Sequence, residues 1–200
     1  MTERAMLDRR GFFALGLASA GAVATSATAA PFEVAPQSFV LPPNGWAPNN
    51  SRLPVLIYKG AVKVVGDDPA ALLEAVFQRN GWPPQWRNGV YDFHHYHSTA
   101  HEALGFAAGR ARLMLGGPNG RDVVVEAGDV VVLPTGVAHC RIEASEDFLV
   151  VGAYPPDQHW DICREAATPT AVDRMAHLPF PASDPVAGAG GSLPKLWPPA

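Results

Sequence analysis

Six short runs of β-branched and other apolar residues follow one another between residues 102 and 154, and turn-forming residues separate each run from the next. We predict strands at 102–108, 110–115, 122–126, 130–133, 139–143 and 148–154. The turns contain Gly109, GGPNG, AGD, PTG and SED, and Asn119-Gly120 favours a tight hairpin. No helical pattern interrupts the runs, which argues against a parallel βαβ sheet. The pattern predicts an all-β antiparallel sandwich or barrel.

The composition agrees with this fold class. The 200 residues include 19 glycines and 20 prolines, and 48% are hydrophobic. A chain of this length and apolar content can form one domain with a core, and its many turn formers favour short strands over long helices. The formal net charge is −4 and no basic stripe is present, so we expect no nucleic-acid partner.

One short helix is predicted in DDPAALLEAVFQRNGW, residues 67–82. Asp68 suits the N-cap, Pro69 suits the first helical position, and Gly81 suits the stop. Before it, residues 30–52 are rich in Pro and Asn and predict an extended N-terminal arm, while residues 53–65 predict one or two short strands. The C-terminal end is rich in Pro and Gly, and we expect apolar anchors there to dock on the barrel. These anchors are Leu193, Leu196 and Trp197.

The segment YDFHHYHSTAHEALGFAAG, residues 91–109, holds four of the chain's seven histidines. On a strand, His95 and His97 face the same side and make a natural first pair of metal ligands. A turn after them could swing Glu102 back toward the pair, and His139, which follows a Pro-x-Gly turn, is the candidate for a fourth ligand. This spacing makes a chance cluster of histidines the weaker interpretation.

The spacing also matches a known pattern. One motif consists of Gly89, five residues, His95-x-His97, four residues, Glu102, six residues and Gly109. A second motif consists of Gly128, five residues, Pro134-x-Gly136, two residues and His139. Its final position, where the known pattern has Asn, is occupied by Glu143. Together they resemble the two motifs of the cupin superfamily.

A closer resemblance covers more of the chain. HYHSTAHEALG, LPTGVAHCRIEASEDFLVVGAYPPDQHWD and LPFPASDPV are similar to the small bacterial cupins of the YjlB-like group, from about residue 55 to the C-terminus. The resemblance implies a cupin double-stranded β-helix, or jelly roll, with an N-terminal arm and one short helix. It implies a single domain over residues 30–200, with a core barrel at about 53–155. The group has no assigned reaction, so no substrate follows from it.

The resemblance assigns metal ligation to His95, His97, Glu102 and His139. Three neutral imidazoles and one carboxylate suit one divalent transition metal per chain, namely Fe, Mn, Ni, Cu or Zn, whereas Mg and Ca prefer oxygen ligands. Four protein ligands leave two positions open on a six-coordinate metal, as oxygen activation, enolate binding or Lewis-acid catalysis requires. A closed tetrahedral zinc would instead be structural. GGPNG lacks the Lys and helix of a P-loop, and we predict no organic cofactor.

Two other histidines match no ligand position. His94 faces away from His95 if the strand alternation holds, and His101 adjoins Glu102. Both are more readily explained as supporting or surface groups. The sharper hypothesis makes His101 a proton shuttle at the mouth of a pocket, and Glu102 a base that leaves the metal to act. Glu102 and His101 are therefore the candidate catalytic residues.

Several further residues allow two interpretations. Arg110 and Arg112 would bind an anionic substrate if they faced inward, but a solvated face is the preferred interpretation. An aromatic wall in the barrel is more often core than a substrate clamp. Its members would be Tyr91, Phe93, Phe106 and Tyr154. Trp160 and Asp161 receive no physical role from the sequence.

Three functions remain open from the sequence. The leading one is a dioxygenase-like or isomerase-like metalloenzyme that acts on a small organic molecule. The alternative is a non-catalytic cupin module that binds a small ligand or a metal, and the third is a structural zinc protein. Because sheet edges need cover, we also predict a homodimer.

Residues 1–29 predict an export signal. Arg9-Arg10 precedes an uncharged run, and Ala27-Thr28-Ala29 provides a cleavage site, which resembles a twin-arginine signal. An ordinary secretory signal and an uncleaved anchor stay as alternatives. We expect a periplasmic or secreted protein with no stable membrane span after cleavage. Cys140 and Cys163 could pair in such a compartment, but two free thiols is the plainer interpretation.

Overall fold

The computed structural model describes residues 35–198, in which strands predominate. The described strands are β1 Gln37–Leu41, β2 Asn50–Tyr58, β3 Pro84–Asn88, β4 Glu102–Ala108, β5 Arg110–Leu115, β6 Arg121–Glu126, β7 Val130–Leu133, β8 His139–Ala144 and β9 Leu149–Ala153. The described helices are α1 Pro69–Arg79, α2 Pro169–His177 and α3 Leu193–Leu196. The predicted all-β jelly roll is confirmed.

The strands form two antiparallel sheets. The larger sheet has the order β1-β2-β7-β4-β9-β3, and the smaller has the order β6-β5-β8. Between them lies one apolar cluster, to which the larger sheet contributes Ile57, Leu104 and Phe106 and the smaller contributes Leu113 and Val125. Strand alternation places Glu102 on the same face of β4 as Leu104 and Phe106, so its side chain points toward the space between the sheets.

The opposite face of the larger sheet is covered by α1 and the C-terminal segment. Leu73 and Phe77 of α1 pack with Leu193 and Trp197 in this second cluster. Gly105 allows the close approach, because a Cβ there would lie 2.8 Å from both Leu73 and Phe77. The central strands β7, β4 and β9 of the larger sheet are therefore buried on both faces.

The predicted helix is confirmed at its ends. The Asp68 side chain accepts a hydrogen bond from Ala71 N at 3.2 Å, Pro69 opens the helix, and Gly81 follows it with φ of +78°. The structure adds two helices to the one predicted. Helix α2 starts with the same kind of signal as α1, a capping Thr168 followed by Pro169, but only Ala171 in it is buried.

The flanking segments dock on the barrel. The N-terminal arm supplies β1, which pairs with β2 at the edge of the larger sheet. At the other end Leu193 and Trp197 are buried as expected, whereas Leu196 is exposed. Cys140 and Cys163 are free thiols. Among residues 35–198, no helix has the length and apolar character needed to cross a bilayer. The predicted signal, residues 1–29, lies outside the described residues.

Candidate metal centre

Backbone pairing brings two of the histidines together. His95 N donates to His139 O at 3.1 Å and His139 N donates to His95 O at 2.9 Å, which places residue 95 beside the first residue of β8. Their ring centroids lie 4.2 Å apart. His97, two residues on, has its ring centroid 5.3 Å from that of His95. All three side chains are buried, and one ring nitrogen from each lies within 4.8 Å of the others.

The orientation of each ring is set by a backbone carbonyl. Nδ1 of His95 lies 3.2 Å from Phe93 O, Nδ1 of His139 lies 3.2 Å from Val137 O, and Nδ1 of His97 contacts Asp161 O. A carbonyl only accepts, so each Nδ1 carries a hydrogen, and in the neutral ring each Nε2 keeps a free lone pair. Metal-binding histidines are commonly held in this way.

Glu102 joins the cluster from the first position of β4. Its Oε2 lies 3.3 Å from His97 Nε2 and 3.2 Å from His139 Nε2. Its Oε1 accepts a hydrogen bond from Tyr154 Oη at 2.6 Å, and Tyr154 Oη accepts one from Trp86 Nε1 at 2.9 Å. The carboxylate is therefore anchored through one oxygen, and the other faces two of the three imidazoles.

The protonation states suit cation binding. Burial raises the pKa of Glu102, but the charges of His97 and His139 and the close approach of their Nε2 atoms outweigh burial and hold this pKa well below its usual range. Burial, followed by the charges of His139 and His97, lowers the pKa of His95 to about 3. For His97, burial lowers the pKa, yet the neighbouring Glu102 carboxylate raises it overall. Without a metal, His97 therefore favours a proton, which a bound metal would displace.

Two buried atoms support a cation at this position. His97 Nε2 and Glu102 Oε2 are buried and 3.3 Å apart, yet neither has a hydrogen bond of good geometry among the described residues. Buried polar atoms are nearly always satisfied, and a divalent transition metal between these donors would satisfy both. The residues present therefore fit the predicted metal.

A cavity of about 170 Å³ opens beside the cluster and exposes His95, His97, His139 and Glu102 to it. Its walls are mostly apolar. They include Trp86, Val90, Tyr91, Leu104, Tyr154 and Trp160. The Trp86 indole lies against Gly152, where a Cβ would be 2.0 Å from the ring. Glycine on β9 thus allows the tryptophan to reach Tyr154.

The structure does not bring His101 to this cavity. His101 is buried beyond the opposite face of the larger sheet, with its ring centroid 4.9 Å from Trp197 and 6.4 Å from Phe180. Its Nδ1 accepts a hydrogen bond from Thr135 N at 3.0 Å. Because side chains alternate along the chain, His101 and Glu102 point to opposite faces. The hypothesis of a proton shuttle at the pocket mouth is corrected on this ground.

His101 should instead make folding pH-dependent. Burial, followed by the charge of Arg52, lowers its pKa to about 3, whereas an unfolded histidine titrates near pH 6.5. Between these values the unfolded chain binds a proton that the folded chain does not. The stability is therefore complete above about pH 6.5 and is lost as the pH falls toward 3.

Between about pH 7.5 and 5.5, we expect the free energy of unfolding to fall by roughly 1 kcal/mol more in the parent than in the His101→Asn variant. Asn can accept the Thr135 hydrogen bond through Oδ1 but does not titrate. Urea unfolding of both chelator-treated proteins measures this difference. Equal losses in the two proteins would contradict the assignment.

Asp161 and Ser98 are site residues that the sequence did not reveal. The Asp161 carboxylate accepts from Ser98 N at 2.6 Å and from Ser98 Oγ at 2.5 Å, next to the carbonyl that orients His97. A backbone carbonyl leaves no trace in residue type, so the sequence holds no signal for this contact.

The remaining candidate residues lie outside the site. Arg110 and Arg112 point to solvent, as the preferred interpretation of the sequence expected, and Arg112 pairs with Asp122 at 3.1 Å. His94 lies outside the cavity, with its Nε2 3.5 Å from Cys140 Sγ.

Comparison of the sequence with known proteins identifies the family of this chain. A family model described as cupin matches residues 87–159. The uncharacterized protein YjlB of Bacillus subtilis is 34% identical over 165 residues, which cover 80% of this chain and 96% of YjlB.

Two solved structures are also similar. A DUF861 family protein of Thermotoga maritima has 24% identity and a TM-score of 0.29, and the match covers 46% of this chain and 96% of that one. RmlC from Streptococcus suis in complex with dTDP-D-xylose has 14% identity and a TM-score of 0.33, and the match covers 54% of this chain and 66% of that one. From the family match and the likeness to YjlB, the chain belongs to the cupin family, in the group that includes YjlB.

Proposed function

We propose that the protein binds one divalent transition metal per chain through His95, His97, His139 and Glu102, and that this metal acts on a small organic molecule in the adjoining cavity. One observation carries the proposal. Three imidazoles have their Nδ1 atoms occupied by carbonyls and present the other nitrogen to one point, where Glu102 presents its free oxygen.

An open site is favoured over a structural zinc site. The cavity reaches all four donor residues, whereas structural zinc sites are closed by protein ligands. When bound, the metal would supply Lewis-acid or redox chemistry at the positions that the protein leaves free. We propose a dioxygenase-like or isomerase-like reaction, in which substrate and donor residues meet away from bulk water.

Glu102 is the proposed catalytic base. Glu102 lines the cavity, and once its Oε2 has left the metal this oxygen can take a proton from a substrate, while Oε1 stays hydrogen-bonded to Tyr154. Burial and the charge of Glu102 raise the pKa of Tyr154, so its phenol remains protonated and keeps donating. Tyr154 thus holds the Glu102 carboxylate in place while Oε2 takes a proton.

The test combines metal analysis with water relaxation. The proposal expects about one transition metal per chain after metal-replete expression without a histidine tag, and a Mn(II)-loaded protein that accelerates water proton relaxation through exchangeable water. Bound zinc with no exchangeable water would support a structural role. An open metal that turns over no substrate would favour the non-catalytic binding module. The absence of metal would overturn the proposal.

Export and dimerisation stay proposals from the sequence. The signal in residues 1–29 supports periplasmic or secreted localisation. The open edges β1 and β3 of the larger sheet are where a homodimer would find unpaired strands.

A further inference from the structure

We propose that the substrate is a single planar ring that carries one anionic or ionisable oxygen group and no second charge. The ring would lie between Tyr91 and Trp160, with its oxygen group directed at the metal. This inference rests on the proposed function and specifies the substrate class of the same site.

Two exposed aromatic side chains flank the histidine pair. Tyr91 and Trp160 are 45% and 37% exposed, and both line the cavity. The Tyr91 ring meets His95 edge-on at 5.2 Å between centroids, and the Trp160 ring meets His97 edge-on at 6.1 Å. Core aromatics are buried, so the exposure of these two at the entrance favours contact with a ligand.

Both rings are held by other rings. Tyr91 stacks on Phe93 at 4.7 Å, and the Arg164 guanidinium covers Phe93 at 4.2 Å from its centroid. Trp160 stacks on Tyr154 at 6.2 Å with 24° between the planes. A planar ring entering between them would therefore find aromatic faces already in place, which lowers the entropic cost of binding.

The size and charge of the cavity narrow the class further. A cavity of about 170 Å³ suits one ring, since an apolar cavity of about 150 Å³ holds benzene. Among residues 35–198, no Lys or Arg lines this cavity. The nearby Arg87 is engaged by Glu74 at 2.6 Å and Asp68 at 2.9 Å.

The charges set the limit of one anionic group. A divalent metal beside the Glu102 carboxylate leaves one net positive charge for a ligand. A second anionic group on the ring would find no Lys or Arg in the described lining and would lose part of its hydration against the apolar walls, which is costly.

The experiment uses the Co(II)-loaded protein, whose visible absorption reports ligands that reach the metal. The probes share a carboxylate head: acetate, benzoate, cyclohexanecarboxylate, and the matched pair 4-carbamoylbenzoate and terephthalate. We expect benzoate to bind about fivefold or more tighter than cyclohexanecarboxylate, because only the planar ring stacks. We expect 4-carbamoylbenzoate to bind about fivefold or more tighter than terephthalate, because the two differ in charge rather than shape.

Variants assign the effect to the aromatic walls. Trp160→Ala should remove the preference for benzoate, while acetate binding stays within about twofold. Ile162→Ala is the control, since this residue is similarly exposed on the same segment and does not line the cavity. Equal affinities within either probe pair, or an unchanged preference in Trp160→Ala, would overturn the substrate class. Failure to bind Co(II) would overturn the metal site as well, whereas acetate binding without ring preference would overturn the substrate class alone.

Discussion

The His139→Ala variant is expected to lose its metal, with an affinity about 100-fold or more below that of the parent, because removal even of a supporting hydrogen bond costs 10- to 100-fold. His139 is central to the arrangement. Its backbone pairs with His95, and its Nε2 lies 3.2 Å from Glu102 Oε2. Alanine keeps the backbone pairing and removes only the imidazole. Competition with a chromophoric chelator measures the affinity.

The matched control is His94→Ala. His94 is adjacent to His95 but contacts Cys140 and lies outside the cavity. The His94→Ala variant should therefore bind the metal with the affinity of the parent. A folded His139→Ala protein with parental affinity would show that the metal binds elsewhere.

The second large effect is expected for Asp161→Ala, at about 10- to 100-fold in metal affinity. Asp161 does not face the metal. Its carboxylate binds Ser98 through both backbone and side chain, and Arg174 Nε donates to Ser98 O at 3.3 Å from helix α2. This clamp keeps the Asp161 carbonyl on Nδ1 of His97. Alanine retains the carbonyl but loses the clamp, so the His97 ring is no longer held.

Two measurements, the metal affinity and the His97 proton resonance, separate a positioning role of Asp161 from a general effect on stability. Metal affinity should fall in Asp161→Ala and be partly restored in Asp161→Asn, whose Oδ1 can still accept from Ser98 N. The His97 Nδ1 proton resonance should shift. Glu165→Ala, which removes an exposed carboxylate from the same segment, should leave both unchanged. If the affinity in Asp161→Ala equals that of the parent, the clamp has no role in the site.

Local sequence signals were sufficient to predict most of the strands and helix α1. The strands from 102 to 153 lie close to their predicted bounds because Gly and Asn-Gly turns separate them, and the Asp68 cap and Pro69 fixed the start of α1. The convergence of His95, His97 and His139 followed from motif spacing. The sequence beyond Pro155 has the irregular pattern of a loop, so helix α2 was not predicted, although Thr168 and Pro169 give it the same start signal that Asp68 and Pro69 give α1.

The site was harder to predict where it depends on tertiary contacts. The Asp161 carbonyl reaches His97 across 64 positions of sequence, and nothing in residue type marks such a contact. His101 is different, because a local rule was available. The alternation that separates His94 from His95 also separates His101 from Glu102, and it therefore places His101 away from the proposed metal site.

The most direct test of the metal centre is anomalous scattering from crystals of the metal-replete protein, collected on both sides of the absorption edge of the metal. We predict one peak per chain at about 2.0–2.2 Å from the Nε2 atoms of His95, His97 and His139 and from Glu102 Oε2. A metal-replete protein with no peak between these four atoms, or with a peak held by other residues, would contradict the assignment of His95, His97, His139 and Glu102 as the metal ligands.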